Sequence, residues 1–440
     1  MLTSQTVPRS QIDSLLDSLS TEPGFACLDT HRGGYRTVSA LPVRQWWLPN
    51  QAERFRDTVA DILEAHGNLG PETRGAGIGG SILYEAGQQT VPGFRSRHHP
   101  TEHLGWAGLY LWTLTIPATG NGHDDASLDF HQDCPRSLRD RILAKLTDSA
   151  RVSREAPESF RITGRFQPTQ APRAYREGVA RILDYIQAGD CYQANLSQQF
   201  TARFQGSPWL AWRSLMAAVP VPHGGYLDTG DWQLLSISPE MFLEIEQGQV
   251  TSKPIKGTRP RSLDSDSDRA LALELQSDPK DRAENLMIVD LIRNDLSRFC
   301  TPFSVRVPQL FELESFRNVH QLVSTVTGQL RPGLTPFEAL ISAFPGGSIT
   351  GAPKRRAMEI IDELEPHGRG PYCGSLFWWS ADDRLDSNIA IRSLQAGPGG
   401  EIRAWAGCGI VADSDPESEY QESITKIQRL LATLENLGRQ

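Results

Sequence analysis

Residues 234–261 read LLSISPEMFLEIEQGQVTSKPIKGTRPR, and their texture sets the class of fold. Two β-rich runs, 234–245 and 250–255, flank Gln247-Gly248, the pattern of an antiparallel hairpin. Lys256 closes the second run, Gly257 follows it, and Glu240 falls in the partner strand. A lysine in such a place is ordinarily solvated and protonated. It becomes a nucleophile only where burial or neighbouring cations lower its pKa. One hairpin thus carries an acid and an amine, and spacing alone leaves open whether they do chemistry.

The flanks supply the helices. Residues 278–298 (DPKDRAENLMIVDLIRNDLSR) open on Asp278-Pro279, an N-cap and first-turn pair, and run as a helix through Leu291. Glu284, Ile288 and Leu291 share one face of it. A carboxylate in register with apolar residues is costly to bury unless an arginine or a metal ion partners it. Residues 343–354 (AFPGGSITGAPK) place Gly346, Gly347 and Gly351 ahead of a helix that opens at Ala352-Pro353 and runs to about Leu364. Backbone N–H groups in such a turn suit an anion, though the lysine does not directly follow the last glycine as in a Walker loop. Residues 406–410 (AGCGI) form a second glycine turn after a strand. Asp415-Pro416 opens the last helix, which runs to about Leu434. Tyr420, Ile424, Ile427, Leu431 and Leu434 form its apolar stripe, and Glu419, Glu422 and Lys426 a second stripe about 100° round. The plain reading of the second stripe is a surface salt bridge at i, i+4; the other is a carboxylate pair able to hold Mg²⁺. Upstream, Val179, Ile182, Leu183 and Ile186 mark an amphipathic helix stopped by Gly189. Strands and helices mix without strict alternation, which favours an α+β fold with much antiparallel sheet over a doubly wound one.

The whole chain sets bounds on these readings. Its 440 residues are enough for two to three ordinary domains, and 39% apolar with 22% charged residues is a globular composition rather than a disordered one. The net charge of −9 argues against non-specific nucleic-acid binding, and an anionic substrate would need a local cation to offset it. No apolar run approaches the roughly 20 residues of a membrane span, and the start (MLTSQTVPRSQID) has no signal-peptide core, so a cytoplasmic protein with no membrane partner is expected. Cys27, Cys134, Cys191, Cys300, Cys373 and Cys408 form no Cys-x-x-Cys pair and read as reduced structural thiols. His98, His99 and His103 lack further partners at zinc-ligand spacing and read as a solvated loop. Residues 161–172 (RITGRFQPTQAP) read as a linker.

From about Arg173 to Leu434 the chain resembles the chorismate-utilising enzymes, the family of anthranilate, aminodeoxychorismate, isochorismate and salicylate synthases. The resemblance rests on PIKGT (254–258), DRAENLMIVDLIRND (281–295), HQLVSTVTGQL (320–330), FPGGSITGAPK (344–354), AGCGIVADSDPESEYQE (406–422) and the closing Lys426. More loosely, GIGGSILYEAG (77–87) resembles the glycine-rich motif of the family's N-terminal domain. The resemblance implies two facing, mainly antiparallel β-sheets flanked by helices and built by both parts of the chain. Residues 1–160 would be the N-terminal component-I domain and 173–437 the chorismate-binding catalytic domain. It implies Mg²⁺ ligated by Glu284 and Glu422, with Glu419 in or beside that shell, holding the ring carboxylate of chorismate and answering the charge problem. Arg392, Tyr372 and Lys426, with backbone at Gly407 and Gly409, would hold the substrate's carboxylates, and Thr350 and His320 would lie against the ring.

Within the family, PIKGT with its central lysine resembles the aminating members; anthranilate synthases usually carry alanine there. Gln193 (in CYQANLSQ) stands where the water-using members have a lysine base, and a neutral amide cannot activate water. The resemblance therefore implies amination of chorismate to 4-amino-4-deoxychorismate, for p-aminobenzoate and folate, through a covalent Lys256 intermediate with Glu240 as the acid. No glutaminase Cys/His set stands out, so ammonia would come from a separate glutamine amidotransferase subunit. Anthranilate formation with pyruvate release is the alternative, and a non-catalytic binding subunit a third. Residues 27–30 (CLDT) depart from the serine-bearing motif at the place where related subunits hold tryptophan.

Overall fold

The computed structural model describes residues 3–30, 34–70, 75–98, 103–118, 125–149, 159–316 and 319–438. Two antiparallel sheets dominate it, one of twelve strands and one of ten. Both draw on distant parts of the chain. In the larger sheet Ala26–Thr30 pairs with Gly225–Asp228, and in the smaller Gly77–Ile82 pairs with Ser375–Ser380. The sheets face each other through an apolar layer: Ala26, Leu28, Leu227 and Leu234 of the larger meet Trp106, Tyr110, Leu376 and Trp378 of the smaller. Helices cover the outer faces, as the α+β expectation requires. Among the described residues no helix is long and apolar enough to cross a membrane.

The decisive stretch folds differently from the simple hairpin. Gln233–Ser236 belongs to the larger sheet and Met241–Glu246 to the smaller, so residues 237–240 cross between sheets. Pro239 has no N–H to give a ladder, which suits it to that crossing. Met241–Glu246 does form a hairpin with Gln249–Ser252, across Gln247 and Gly248 at φ 50° and 76°. Two left-handed residues match the twist of a two-residue hairpin. Lys256 does not close that strand. It is the second residue of a new one, Ile255–Pro260, which pairs with Val319–Gln329.

The linker reading of residues 161–172 is also corrected. Phe160–Pro168 is a strand of the larger sheet, antiparallel to Gln193–Gly206, and the helix Pro172–Gln187 starts directly after it. Its glycine is a bulge residue: Gly164 lies at φ 106°, where the register shifts opposite Thr201–Arg203. His98 and His103 are likewise not a solvated loop. His98 Nε2 bonds the Glu365 carbonyl at 2.8 Å and His103 begins the strand His103–Tyr110, while His99 lies outside the described residues.

The helix starts follow the local signals. Asp278 accepts the N–H groups of Lys280 and Asp281 and caps Pro279–Ser297, which runs two turns past Leu291. Asp415 caps Pro416–Asn436, and Lys354–Leu364 follows Pro353. The buried line of the last helix is Glu419, Ser423, Ile427, Leu430 and Leu434, so its first half turns polar groups inward while Tyr420 is only partly covered. Each fully buried leucine or isoleucine there contributes about 1.5–3 kcal/mol.

Candidate active site

The inter-sheet crossing ends at Glu240, whose backbone is tied down on both sides. Its N–H donates to Ser238 Oγ at 3.1 Å and its carbonyl accepts from the Ile389 N–H at 3.1 Å. The carboxylate is buried, 7% exposed, and accepts one hydrogen bond, from the Ser348 hydroxyl at 3.0 Å. Burial pushes this carboxyl up to about 7, against the pull of Ser348 and of the charges on Lys256, Arg392 and Lys426. A carboxyl poised there can give up a proton near neutral pH.

Lys256 is aimed by a bulge. The register against Val319–Gln329 shifts between Lys256 and Thr258, and Gly257 turns at φ 78°. A side chain at Gly257 would start 2.8 Å from Leu275 and 2.9 Å from Asp281, so the bulge needs glycine. Among the described residues Lys256 makes no ion pair, although its charge is felt at Glu240, Glu284 and Glu422.

The carboxylates come from two helices. Glu284 lies 4.0 Å from Lys280; burial raises its carboxyl, Lys256 and Lys280 oppose that, and Asp281 and Glu422 add to it. Glu422 lies 2.6 Å from Lys426. Burial disfavours the Glu422 charge, but Lys426, with Lys256 behind it, holds the carboxyl below its usual range. The same pair favours the protonated form of Lys426. Solvent still reaches 54% of the Glu422 side chain and 39% of Lys426, so this end of the site is open to water. Glu419 is buried and accepts from the Ser414 hydroxyl at 2.6 Å.

Donor atoms of Cys408, Glu419 and Glu422 gather within 4.8 Å of one another. Burial pushes the Cys408 thiol up to about 12, so it stays protonated and is no ligand for a hard cation. The carboxylates do fit one. Glu284 and Glu422 repel each other from separate helices, and an oxygen-seeking divalent ion would relieve that repulsion.

Arg392 sits at φ 52°, a left-handed conformation that costs a non-glycine residue about 1 kcal/mol or more. Burial disfavours its charge, Glu240 partly offsets this, and no described carboxylate lies within ion-pair reach. Gly407 and Gly409 lie on Glu401–Ile410 opposite Ser197 and Asn195. A side chain at Gly407 would start 2.2 Å from the Leu196 carbonyl, and its own carbonyl accepts from Lys426 Nζ at 3.3 Å. Thr350 is fully buried, its hydroxyl donating to the Gly346 carbonyl at 2.9 Å and its carbonyl accepting from the Asn195 N–H at 2.9 Å. Gln193 Nε2 donates to Asn195 Oδ1 at 3.0 Å. Tyr372 is buried and stacks on Trp405, centroids 6.3 Å apart.

His320 is placed apart from this group. Its Nε2 meets Asp268 Oδ1 at 3.0 Å and its Nδ1 meets Ser315 Oγ at 2.8 Å, which ties its strand to the helix Ser265–Ser277. Both ring nitrogens are spent there, and no described contact joins it to Glu240, Lys256 or Arg392. The glycine turn at 346–351 does hold an anion, but an internal one: Asp295, bonded by the Gly347 N–H and by Lys354 Nζ at 2.7 Å. Sequence reasoning missed Ser348, Asp295 and Lys354 as parts of the site. All three lie within quoted motifs, but their roles come from burial.

With this geometry in hand, comparison with known proteins places the chain. It belongs to the chorismate binding enzyme family, which it matches over residues 26–432. It is 44% identical over 329 residues to aminodeoxychorismate synthase component 1 of Salmonella typhimurium, covering 75% of this chain and 70% of that protein. To the Escherichia coli K12 protein of the same name it is 47% identical over 278 residues, 63% of this chain and 61% of that one. The crystal structure of anthranilate synthase component I from Streptococcus pneumoniae TIGR4 superposes with a TM-score of 0.76 at 28% identity, covering 90% of this chain and 92% of that one.

Proposed function

We propose that this chain aminates chorismate at C4, giving 4-amino-4-deoxychorismate, the precursor of p-aminobenzoate for folate. The observation that carries the reading is Lys256, an amine with no ion pair among the described residues, whose charge is felt at Glu240, a buried carboxyl pushed up to about 7. The similarity to aminodeoxychorismate synthase component 1 over most of the chain supports it.

Arg392 and Lys426, with the backbone at Gly407 and Gly409 and the Tyr372 hydroxyl, bind the substrate's carboxylates; Thr350 bounds the ring, while His320 stays with Asp268 and Ser315. Glu284 and Glu422, with Glu419 beside them, would hold Mg²⁺, which supplies the positive field that neutralises the ring carboxylate. Lys256 bonds through the lone pair of its amine to C2 of chorismate. The two ring double bonds shift, and the C4–O bond breaks as Glu240 gives its proton to the departing hydroxyl. Ammonia then bonds to C4, the double bonds shift back, and the C2–N bond to Lys256 breaks. One water leaves for each ammonia added, and the pyruvyl ether is untouched.

Ammonia comes, in this reading, from a glutamine amidotransferase subunit. All six thiols of the chain are buried, and burial raises each above its ordinary value, the opposite of what a glutaminase nucleophile needs. The test is product analysis with chorismate, Mg²⁺ and an ammonium salt at alkaline pH. Aminodeoxychorismate without pyruvate is expected. Anthranilate with equimolar pyruvate would replace this reading with the eliminating one, and chorismate affinity without turnover, glutaminase present, would leave a binding subunit.

A further inference from the structure

The motif at residues 77–87 has no role in the chemistry above, yet one of its side chains reaches the pocket wall. Glu85 follows the strand Gly77–Ile82 in the short turn Tyr84–Ala86 and is 2% exposed. Its carboxylate accepts the Arg369 N–H at 2.7 Å and the Gly370 N–H at 3.1 Å to each oxygen. The adjacent Tyr84 N–H donates to the Gly370 carbonyl at 2.8 Å. The turn at 369–372 is thereby gripped on both sides by chain 284 residues away.

That turn feeds two walls of the site. The Tyr372 N–H donates to the Arg369 carbonyl at 3.0 Å, so the turn sets where Tyr372 starts. The Arg369 guanidinium lies 4.6 Å over the Tyr84 ring and donates to the carbonyls of Ile349 at 3.0 Å and Asn195 at 2.9 Å. Ile349 precedes Thr350, whose carbonyl accepts from Asn195, and Asn195 faces Gly409 across the ladder. An arginine fork fixes two backbone segments at once because its donors lie in one rigid plane.

We infer that Glu85 is a positioning residue for the substrate pocket, acting through the Arg369 turn on Tyr372, Thr350 and Gly409. It touches no reacting atom. The inference rests on the chorismate reading above. A loosened wall weakens substrate binding more than it slows the bound substrate, so the signature is in KM. A purely structural role would lower the fraction of active enzyme, and hence kcat, at unchanged KM.

The test compares wild type with Glu85→Gln, which keeps the shape and one acceptor oxygen, and with Glu85→Asp, which keeps the charge on a shorter stem. The full chain is assayed with chorismate, Mg²⁺ and ammonium, and each variant's melting temperature is measured alongside. Wild-type turnover of chorismate comes first, since its absence would count against the chorismate reading rather than against Glu85. Given that turnover, KM for chorismate is expected to rise about tenfold in Glu85→Gln with kcat changed less than about threefold. Glu85→Asp should fall between the two. An unchanged KM in whichever variant folds, with or without a fall in kcat, overturns the inference.

Discussion

Two charged centres, one around Arg369 and one around Glu240, are built on opposite terms. Glu365 and Arg369 are each 1% exposed and joined at 2.7 Å. Glu365 also accepts from the Ser197 N–H at 2.7 Å and hydroxyl at 2.8 Å, and Arg369 spends its other donors on backbone carbonyls. Around Glu240 the account is short. Its carboxylate has one hydrogen-bonded partner, and among the described residues Lys256 and Arg392 have no ion pair. Burying charge is unfavourable unless it is partnered, so a scaffold keeps its buried charges saturated. On the proposed reading the site leaves them wanting because the substrate would be the missing partner, a stability cost typical of functional positions.

The comparison breaks most sharply at Lys256. Lys256→Ala should lower amination by on the order of 10³-fold while leaving the melting temperature nearly unchanged. A near-normal rate would mean ammonia attacks directly. Arg369→Ala should do the reverse of the lysine change first of all: it strands the Glu365 carboxylate and should cost about 3–5 kcal/mol in denaturant unfolding. A loss under about 1 kcal/mol would deny that the saturated centre is structural.

Glu240→Gln sharpens the contrast with a sign. At a fixed concentration of free ammonia, kcat should fall about a hundredfold and lose the decline above about pH 7 that titration of the acid imposes. Stability should move the other way. The Glu240 carboxyl rises from 4.5 to about 7 on folding, so the folded state holds a proton that the unfolded state has lost. Wild-type stability is therefore full below 4.5 and declines as pH rises to about 7; the glutamine variant escapes this, by up to ~3 kcal/mol. Thermal melts at pH 5 and pH 8 check it.

How much of this was legible in the sequence followed from how local each cause is. The starts at Pro279 and Pro416 were readable because Asp278 and Asp415 cap them within a few residues. The helix Ser265–Ser277 was missed: Leu275 is its one buried residue, so it shows no apolar stripe. Gly164 and Pro168 misled because a bulge and a strand end use the same residues as a linker. The sheet change at 237–240 depends on partners far along the chain. In the site, Glu240, Lys256, Glu284 and Glu422 stood in motifs whose residue types announce chemistry. Ser348 and Arg369 did not, since a serine or an arginine acquires such a role only from what burial places around it.

The most direct test of the account is the mass of the protein held with chorismate and Mg²⁺ but no ammonia, quenched and digested for peptide mapping. The account predicts a gain equal to chorismate less one water, on Lys256, discharged when ammonium is added and absent from Lys256→Ala. Rapid amination on adding ammonium, with no adduct on Lys256 at any quench time, would contradict it.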